Sequence, residues 1–336
     1  MSGETSIVLG MDVGASHTRA VLADERGQIL GVGRAGSGNW EGVGLEGARQ
    51  AYTTALDAVL ADAGLEREAI AASAYGLAGL DWPSDVGRLG PVIASLGVPG
   101  PREMVNDVVL LLRAGTSDGV GVAAIAGSGT KVVGRNRAGQ TASTFGAGYP
   151  FTDWGGAWDI AAAAVHAVTR AYFKMGPATA LTERMQALAG TGETIELLEG
   201  IMRRHVDVGG RFAPQVFACA AGGDAVAQEI VGRVGKRIGA NVLVVARELE
   251  MLDEPFDLVT AGGVFSSRSP LLYQSLADTL QEEAVQVNLV PLNAPPVVGA
   301  ILLALDLLRL PELTDRSLLV ARVAQALEGG PGGVDG

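Results

Sequence analysis

Phosphate-binding chemistry is indicated by a run of small residues that follows the first apolar stretch of the chain. Residues 6–11 are mostly apolar and lead into Asp12, the turn Gly14-Ala15-Ser16 follows, and Thr18 begins a second alternating run. Small residues let backbone N–H groups approach an anion closely, and the hydroxyls of Ser16 and Thr18 add hydrogen-bond donors. A carboxylate such as that of Asp12 could hold a metal ion on the anion. The pattern predicts a strand, a phosphate-binding turn and a second strand.

The same residues also fit a simpler interpretation, an ordinary glycine hairpin beside an aspartate that is satisfied within the fold. The stretch is not a P-loop of the Walker type, because no Gly-Lys-Ser/Thr follows and the turn leads into a strand rather than a helix. This stretch alone leaves both interpretations open.

A second turn of small residues, Ala126-Gly127-Ser128-Gly129-Thr130, follows the apolar residues 119–125 in the same way. In each half, the sequence predicts three strands joined by hairpins and then alternating helices and strands. The architecture is therefore duplicated, although the sequence is not. Two such halves would place the two turns on opposite sides of an interdomain cleft, where ligands commonly bind. The alternative is two independent α/β domains whose turns do not meet.

Length and composition predict a two-domain globular chain. It has 336 residues, of which 48% are hydrophobic and 18% charged, and its formal net charge of −12 argues against nucleic-acid or anionic-membrane partners. The longest apolar stretch, residues 295–305, is too short to cross a bilayer, and the first residues lack the features of a signal peptide. Cys219 is the only cysteine and there are three histidines, so a thiolate or structural zinc site is not expected. We expect a soluble, cytoplasmic protein.

One aspartate lies at a predicted strand–helix junction. Asp107 follows a short predicted strand, residues 103–106, and opens a predicted helix, residues 108–113. By position alone, Asp107 fits a helix N-cap.

Taken in order, these motifs resemble the N-acetylglucosamine kinase and BadF/BadG/BcrA/BcrD-type ATPase family, within the actin, sugar-kinase and heat-shock chaperone superfamily. The resemblance extends from about Ile7 to about Leu308. Its elements are a phosphate-1 element at residues 12–18, a phosphate-2 element at residues 126–130, a helical stretch at residues 211–224, an adenosine element at residues 261–265 and an apolar stretch at residues 296–300. The family usually has lysine or arginine where His17 stands.

The resemblance implies an α/β fold of two ribonuclease-H-like (actin-like ATPase) domains with an interdomain cleft. Residues 1–116 would form the first domain, with the sugar loop, the phosphate-1 element and the catalytic aspartate. Residues 117–310 would form the second, with a helical insertion and the phosphate-2 and adenosine elements. Residues 311–336 would be a surface helix and a disordered tail.

ATP and Mg²⁺ are the cofactors that the resemblance implies, with Asp12 holding the metal. The residues that carry over to ATP are Gly14, Ala15, Ser16, Thr18, Gly127, Ser128, Gly129, Thr130, Gly262, Gly263 and Val264. Asp107 is similar to the family's general base, which a helix N-terminus would keep ionised.

The sugar site would combine residues from two further stretches with Asp107. Asn39 and Trp40 resemble the family's sugar-binding loop, in which the asparagine bonds sugar hydroxyls. Asp153 lies in a stretch similar to the family's Gly-Asp-Glu-Gly, and it carries over as another hydroxyl ligand. Trp154 stands where the family usually has glutamate. Trp40 could stack on the sugar or fill the core, and core filling is the simpler role for Trp154.

The function implied is an amino-sugar kinase, with N-acetylglucosamine phosphorylated at the 6-hydroxyl and glucosamine or N-acetylmuramic acid as alternatives. A BadF-type ATPase activator needs two cysteines from each of two subunits for its iron–sulfur cluster, which Cys219 alone cannot supply. A non-catalytic sugar sensor would tolerate the loss of Asp12 and Asp107, yet both positions hold aspartate. A homodimer is a further expectation for a family of this kind.

Overall fold

The computed structural model describes residues 5–148, 151–284, 286–309 and 315–329. The chain forms two compact units, one made of Met1–Val120 with Pro291–Gly336 and the other of Gly121–Val290. Each unit is an α/β structure built on one five-stranded sheet, as predicted.

The strands form the two sheets. Within the described residues they are β1 (Ile7–Val13), β2 (Thr18–Asp24), β3 (Ile29–Ala35), β4 (Ile70–Leu77), β5 (Arg102–Asn106), β6 (Gly121–Ala126), β7 (Thr130–Arg135), β8 (Thr141–Ser143), β9 (Phe256–Ala261) and β10 (Val287–Pro291).

Helices connect and cover the two sheets. Within the described residues they are α1 (Trp40–Ala63), α2 (Pro83–Ala94), α3 (Asp107–Gly115), α4 (Ala157–Tyr172), α5 (Leu181–Ala189), α6 (Thr194–Met202), α7 (Ala213–Ala221), α8 (Ala225–Glu248), α9 (Gly263–Ser266), α10 (Pro270–Gln281), α11 (Val297–Leu307) and α12 (Arg316–Gly329). Helices α4 to α8 follow the first three strands of the second unit, where a helical insertion was predicted, and α8 packs on β6 and β7 of the sheet.

The two sheets share one topology. The first has the order β3-β2-β1-β4-β5 and the second the order β10-β9-β6-β7-β8. In the first, β1 pairs antiparallel with β2 and parallel with β4. In the second, β6 pairs antiparallel with β7 and parallel with β9. The predicted duplication of architecture is confirmed.

The C-terminal part of the chain differs from the predicted division at residues 116 and 310. Helix α11 was expected in the second domain, but it packs on β1, β4 and α3 of the first unit. The reason is its composition, since Val297 to Ala304 are all buried and need an apolar partner on every side. Helix α12 begins at Arg316 and buries Leu319 and Val323. The predicted disordered tail lies outside the described residues from 330 onward.

Two glycines permit the close approach of α11 to the first sheet. A Cβ added at Gly10 in β1 would lie 2.7 Å from the backbone nitrogen of Ile301, and one added at Gly299 would overlap the carbonyl oxygen of Leu110 in α3. Arg113 of α3 also forms a two-pronged ion pair with Asp306 of α11, at 2.8 and 3.0 Å. Helix α11 therefore fixes β1 and α3 relative to each other.

Gly299→Ala is expected to destabilise the protein, although glycine-to-alanine changes inside helices usually stabilise. The added methyl group would meet the backbone of α3, and overpacking of this kind costs roughly 1–3 kcal/mol or more. The matched control is Gly87→Ala in α2, where a Cβ would meet no atom within 4 Å and where we expect a gain of up to about 1 kcal/mol. Urea unfolding of both variants checks this, and equal stability would contradict the close packing.

Candidate functional site

Strands β1, β4 and β5 run parallel and end at the same edge of the first sheet, which we call the carboxyl edge. Register pairs Asp12 of β1 with Gly76 of β4, and Leu77 of β4 with Asn106 of β5. Asp107 follows Asn106 directly and begins α3. The fold thus brings the carboxylates of Asp12 and Asp107, which are 95 residues apart in the chain, to one edge.

Asp12 occupies an unfavourable position for a charge. It is 8% exposed, and burial raises the pKa of its carboxyl from 3.8 to about 7, with the charge of Asp107 adding to the rise and that of Arg19 opposing it. A carboxylate placed where its ionisation is costly is a feature of functional sites. The effect of the Asp107 charge on Asp12 agrees with the position of both residues at the carboxyl edge.

The helix cap beside Asp107 is a different residue from the one that the sequence suggested. The side chain of Asn106, not that of Asp107, is the N-cap of α3, and its Oδ1 accepts the N–H of Val108 at 3.1 Å. The Nδ2 of Asn106 donates to Asp81 at 3.0 Å, which fixes the amide. Asp107 is therefore the first helical residue and is partly exposed, at the positive end of the helix dipole.

Arg19 is a site residue that the sequence analysis missed. It lies directly opposite Asp12 in the antiparallel register of β1 and β2, and it lowers the pKa of Asp12. The signal was available, since pairing the two predicted strands across the turn at residues 14–17 places Arg19 beside Asp12. Arg19 supplies a cation close to the phosphate-1 turn.

The phosphate-1 turn is held by its own backbone. Gly14 donates to the carbonyl of His17 at 2.9 Å, while Ala15 and Ser16 are exposed. Thr18 is fully buried and its hydroxyl donates to Gly36 at 3.0 Å. This bond uses the only hydrogen of the hydroxyl, so Thr18 fastens the turn to the sugar loop rather than offering the donor that its residue type suggested.

The sugar loop is similarly braced. The Oδ1 of Asn39 accepts the N–H of Glu41 at 3.0 Å and caps α1, which leaves its Nδ2 as a donor. The indole N–H of Trp40 donates to Gly79 at 2.7 Å, and the guanidinium of Arg88 lies 5.3 Å from the Trp40 ring. Trp40 is partly buried and packs against the apolar core of the first unit.

In the second unit, the phosphate-2 turn lies against the start of α4. Gly127 donates to Gly129 at 2.9 Å, and the N–H groups of Ala157 and Trp158 donate to the carbonyls of Gly127 and Ser128 at 2.8 and 3.2 Å. A Cβ at Gly127 or Gly129 would meet no atom within 4 Å. The turn is therefore supported from one side and open on the other.

Asp153 is buried beside this turn rather than exposed as a simple ligand would be. Its Oδ2 accepts the N–H groups of Gly146 and Ala147 at 2.8 and 3.2 Å, and its Oδ1 has no hydrogen-bond partner among the described residues. The hydroxyl of Thr130 is also buried and has no partner in the same part of the chain. Buried polar atoms of this kind need a partner, which a ligand could supply.

The adenosine element follows β9. Gly262 has a φ of 96° and a Cβ there would overlap the carbonyl oxygen of Ala126, so only glycine fits. A Cβ at Gly263 would meet no atom within 4 Å, and Val264 is buried. Gly263 therefore presents an open stretch of backbone.

The donor set fits magnesium better than a metal held by protein alone. Among the described residues, no group of three or more His, Cys, Asp or Glu side chains could hold a metal ion. Magnesium usually takes one or two carboxylates, with the phosphates of a substrate and water completing its shell. Asp12 beside the phosphate-1 turn meets that requirement.

Within the described part of the chain, no helix is long and apolar enough to cross a bilayer.

Two curated relatives are similar to this chain over nearly its whole length. One is the N-acetylmuramic acid/N-acetylglucosamine kinase of Clostridium acetobutylicum, 25% identical over 88% of this chain and 97% of the relative. The other is the N-acetyl-D-glucosamine kinase of Dictyostelium discoideum, 25% identical over 89% of this chain and 98% of the relative.

Solved structures share the fold. A candidate N-acetylglucosamine kinase from Chromobacterium violaceum superposes with a TM-score of 0.64 at 22% identity, covering 89% of this chain and 99% of that one. A ROK family glucokinase from Streptomyces griseus, solved with glucose and AMPPNP, gives a TM-score of 0.51 at 15% identity, covering 90% and 98%. The model of the BadF/BadG/BcrA/BcrD ATPase family matches residues 9–304, and the chain belongs to that family.

Proposed function

We propose that this chain is an ATP-dependent amino-sugar kinase that transfers the γ-phosphoryl group to the 6-hydroxyl of N-acetylglucosamine. The two relatives named as amino-sugar kinases support the substrate class. The observation that carries the proposal is the pair formed by Asp12 and Asp107 at the carboxyl edge, where one carboxylate can serve the metal and the other the acceptor.

Asp107 would accept the proton of the sugar hydroxyl as that oxygen attacks phosphorus. Asp107 lies at the positive end of the α3 dipole, which favours a negative charge there, and Asn106 holds the junction in place. Asp12 would hold Mg²⁺, which when bound neutralises charge on the β- and γ-phosphates. Arg19 would add a second positive charge beside them.

Phosphate binding would fall to exposed backbone in the two turns. Ala15 and Ser16 of the phosphate-1 turn, with Ser128 and Gly129 of the phosphate-2 turn, are exposed and small. Such turns hold phosphate through several N–H groups at once, which positions the transferring group while leaving it free to react.

The sugar would be recognised by Asn39, Asp107 and Asp153, with Trp40 as a supporting wall. Asn39 offers its Nδ2, whereas the buried Oδ1 of Asp153, which has no partner among the described residues, would have to become accessible before it could contact the sugar. An amide and two carboxylates donate and accept at fixed angles, which suits a polyol. A homodimer and a cytoplasmic location stay predictions.

N-acetylmuramic acid is the second candidate substrate, because the Clostridium acetobutylicum relative is named for both sugars. Comparing kcat/KM for N-acetylglucosamine, N-acetylmuramic acid and glucosamine decides among them, and phosphorus NMR of the product identifies the hydroxyl. We expect N-acetylglucosamine to give the highest value and a 6-phosphate. A product phosphorylated at the anomeric oxygen would contradict the proposed geometry. An ATPase activator is disfavoured, since Cys219 is single and buried.

Gly263→Ala is expected to raise KM for ATP roughly tenfold without changing the melting temperature. The methyl group would meet no atom of the described residues within 4 Å, so we expect it to act on a ligand that lies against this backbone. Overpacking of that contact costs of order 1–3 kcal/mol. Steady-state kinetics and thermal melting of the same preparation check this. Gly87→Ala serves as the control, and an unchanged KM for ATP in Gly263→Ala would remove the adenosine element from the site.

A further inference from the structure

A groove of about 320 Å³ lies between α4 and α8 of the second unit, and none of its lining residues belongs to the turns described above. We call it the α4–α8 groove, and its volume is in the range of small-molecule sites. Its polar and turn-forming lining residues are His166, Arg170, Gly176, Pro177, Glu229 and Arg233.

The groove carries the opposite charge to the molecule as a whole. The chain has 37 acidic and 25 basic residues, yet the groove collects two arginines and a histidine against the single acid Glu229. A local positive site in an acidic protein concentrates anions there. Planar guanidinium groups match phosphate oxygens in pairs, which lysine cannot do.

Both arginines are held in place before any ligand binds. Arg170 donates to the carbonyl of Met175 at 2.8 Å, and it lies across Gly176, where a Cβ would approach its Nε to 3.2 Å. The guanidinium of Arg233 stacks 4.5 Å from the centroid of the Trp154 ring. Side chains fixed in this way lose little conformational entropy on binding, which favours affinity.

Two features connect the groove to the proposed active site. The ring on which Arg233 stacks belongs to Trp154, the residue that directly follows Asp153. The other wall, α4, begins with Ala157 and Trp158 bonded to the carbonyls of the phosphate-2 turn. A ligand that binds both arginines would therefore act on α4 through Arg170 and on Trp154 through Arg233.

We propose that the α4–α8 groove is an effector site for a small molecule carrying a phosphomonoester, and that its occupancy is transmitted to the phosphate-2 turn through Trp154 and α4. The proposal that a phosphomonoester binds here rests on the groove alone, whereas the proposed effect on turnover rests on the proposed kinase function. Sugar phosphates and free inorganic phosphate share the required chemistry.

The test is a titration followed by tryptophan fluorescence and calorimetry, with glucosamine 6-phosphate, inorganic phosphate and unphosphorylated glucosamine as probes. We expect saturable binding of the sugar phosphate that is weakened at least tenfold in Arg170→Gln. Trp154→Phe should bind but lose the fluorescence change. If inorganic phosphate bound as tightly as glucosamine 6-phosphate, the groove would be a site for the free ion.

Two further variants separate this groove from the active site. Lys236→Gln removes an exposed cation from the same helix outside the groove, and it should bind like the unaltered protein. Asp107→Asn should also retain this binding whether or not the protein is a kinase. Binding that is unchanged in Arg170→Gln, or that disappears only in Asp107→Asn, would overturn the proposal.

Discussion

Replacing Asp107 with asparagine is expected to lower kcat by roughly 100- to 10,000-fold, the usual contribution of a general base. Asparagine keeps the size of the side chain but cannot take the proton of the sugar hydroxyl. Because Asn106 and not Asp107 caps α3, the substitution should leave the helix formed and ATP binding nearly unchanged. Steady-state kinetics with calorimetric ATP titration measures both quantities.

The control for the lost charge is Glu183→Gln, which removes an exposed acid from the first turn of α5. Loss of an acid from the first turn of a helix costs about 0.3–1 kcal/mol of stability through the helix dipole. Glu183→Gln should therefore shift the melting temperature about as little as Asp107→Asn does, while it keeps full turnover. An Asp107→Asn protein that retained near-normal kcat would show that another group accepts the proton.

Asp12→Asn is expected to abolish turnover and, at the same time, to stabilise the ligand-free protein at alkaline pH. The folded protein holds a proton on Asp12 between pH 3.8 and about 7 that the unfolded chain has lost. The free energy of unfolding therefore falls as pH rises through that window, and the loss is complete above about pH 7. Each pKa unit is worth about 1.4 kcal/mol, so the rise in the pKa of Asp12 corresponds to roughly 4 kcal/mol.

Asparagine at position 12 cannot ionise, so this variant should melt roughly 5 °C or more above the unaltered protein at pH 8 and equally with it at pH 4. Asp57→Asn provides the control, because it removes a negative charge from an exposed ion pair with Arg67. Magnesium should reduce the difference in melting temperature between Asp12→Asn and the unaltered protein at pH 8. It stabilises the unaltered protein by binding the ionised carboxylate of Asp12, which the variant lacks. If the difference in melting temperature between Asp12→Asn and the unaltered protein did not change with pH, burial would not be raising the pKa of Asp12.

The strands, both phosphate turns and the duplicated architecture could be predicted because each depends on local pattern. A continuous apolar run located β1 and an alternating run located β2, and the small residues at 14–16 and 127–129 marked the turns. The family resemblance then supplied roles for Asp12 and Asp107 that spacing alone left open.

What the sequence could not predict depends on contacts between distant residues. The pKa of Asp12 is raised by its burial in the fold and by a charge 95 residues away. Asp107 and Asn106 are both good caps, and only the backbone geometry selects Asn106. Helix α11 was assigned to the wrong unit because apolar composition shows that a helix is buried without showing what buries it.

The kinase activity is tested most directly by measuring ADP release with ATP, Mg²⁺ and N-acetylglucosamine, against the same mixture without sugar. We expect the sugar to raise ADP release well above the background with water, with one phosphate transferred per ADP formed. Bound ATP with no stimulation by any amino sugar would contradict the kinase and leave a sensor or a different acceptor.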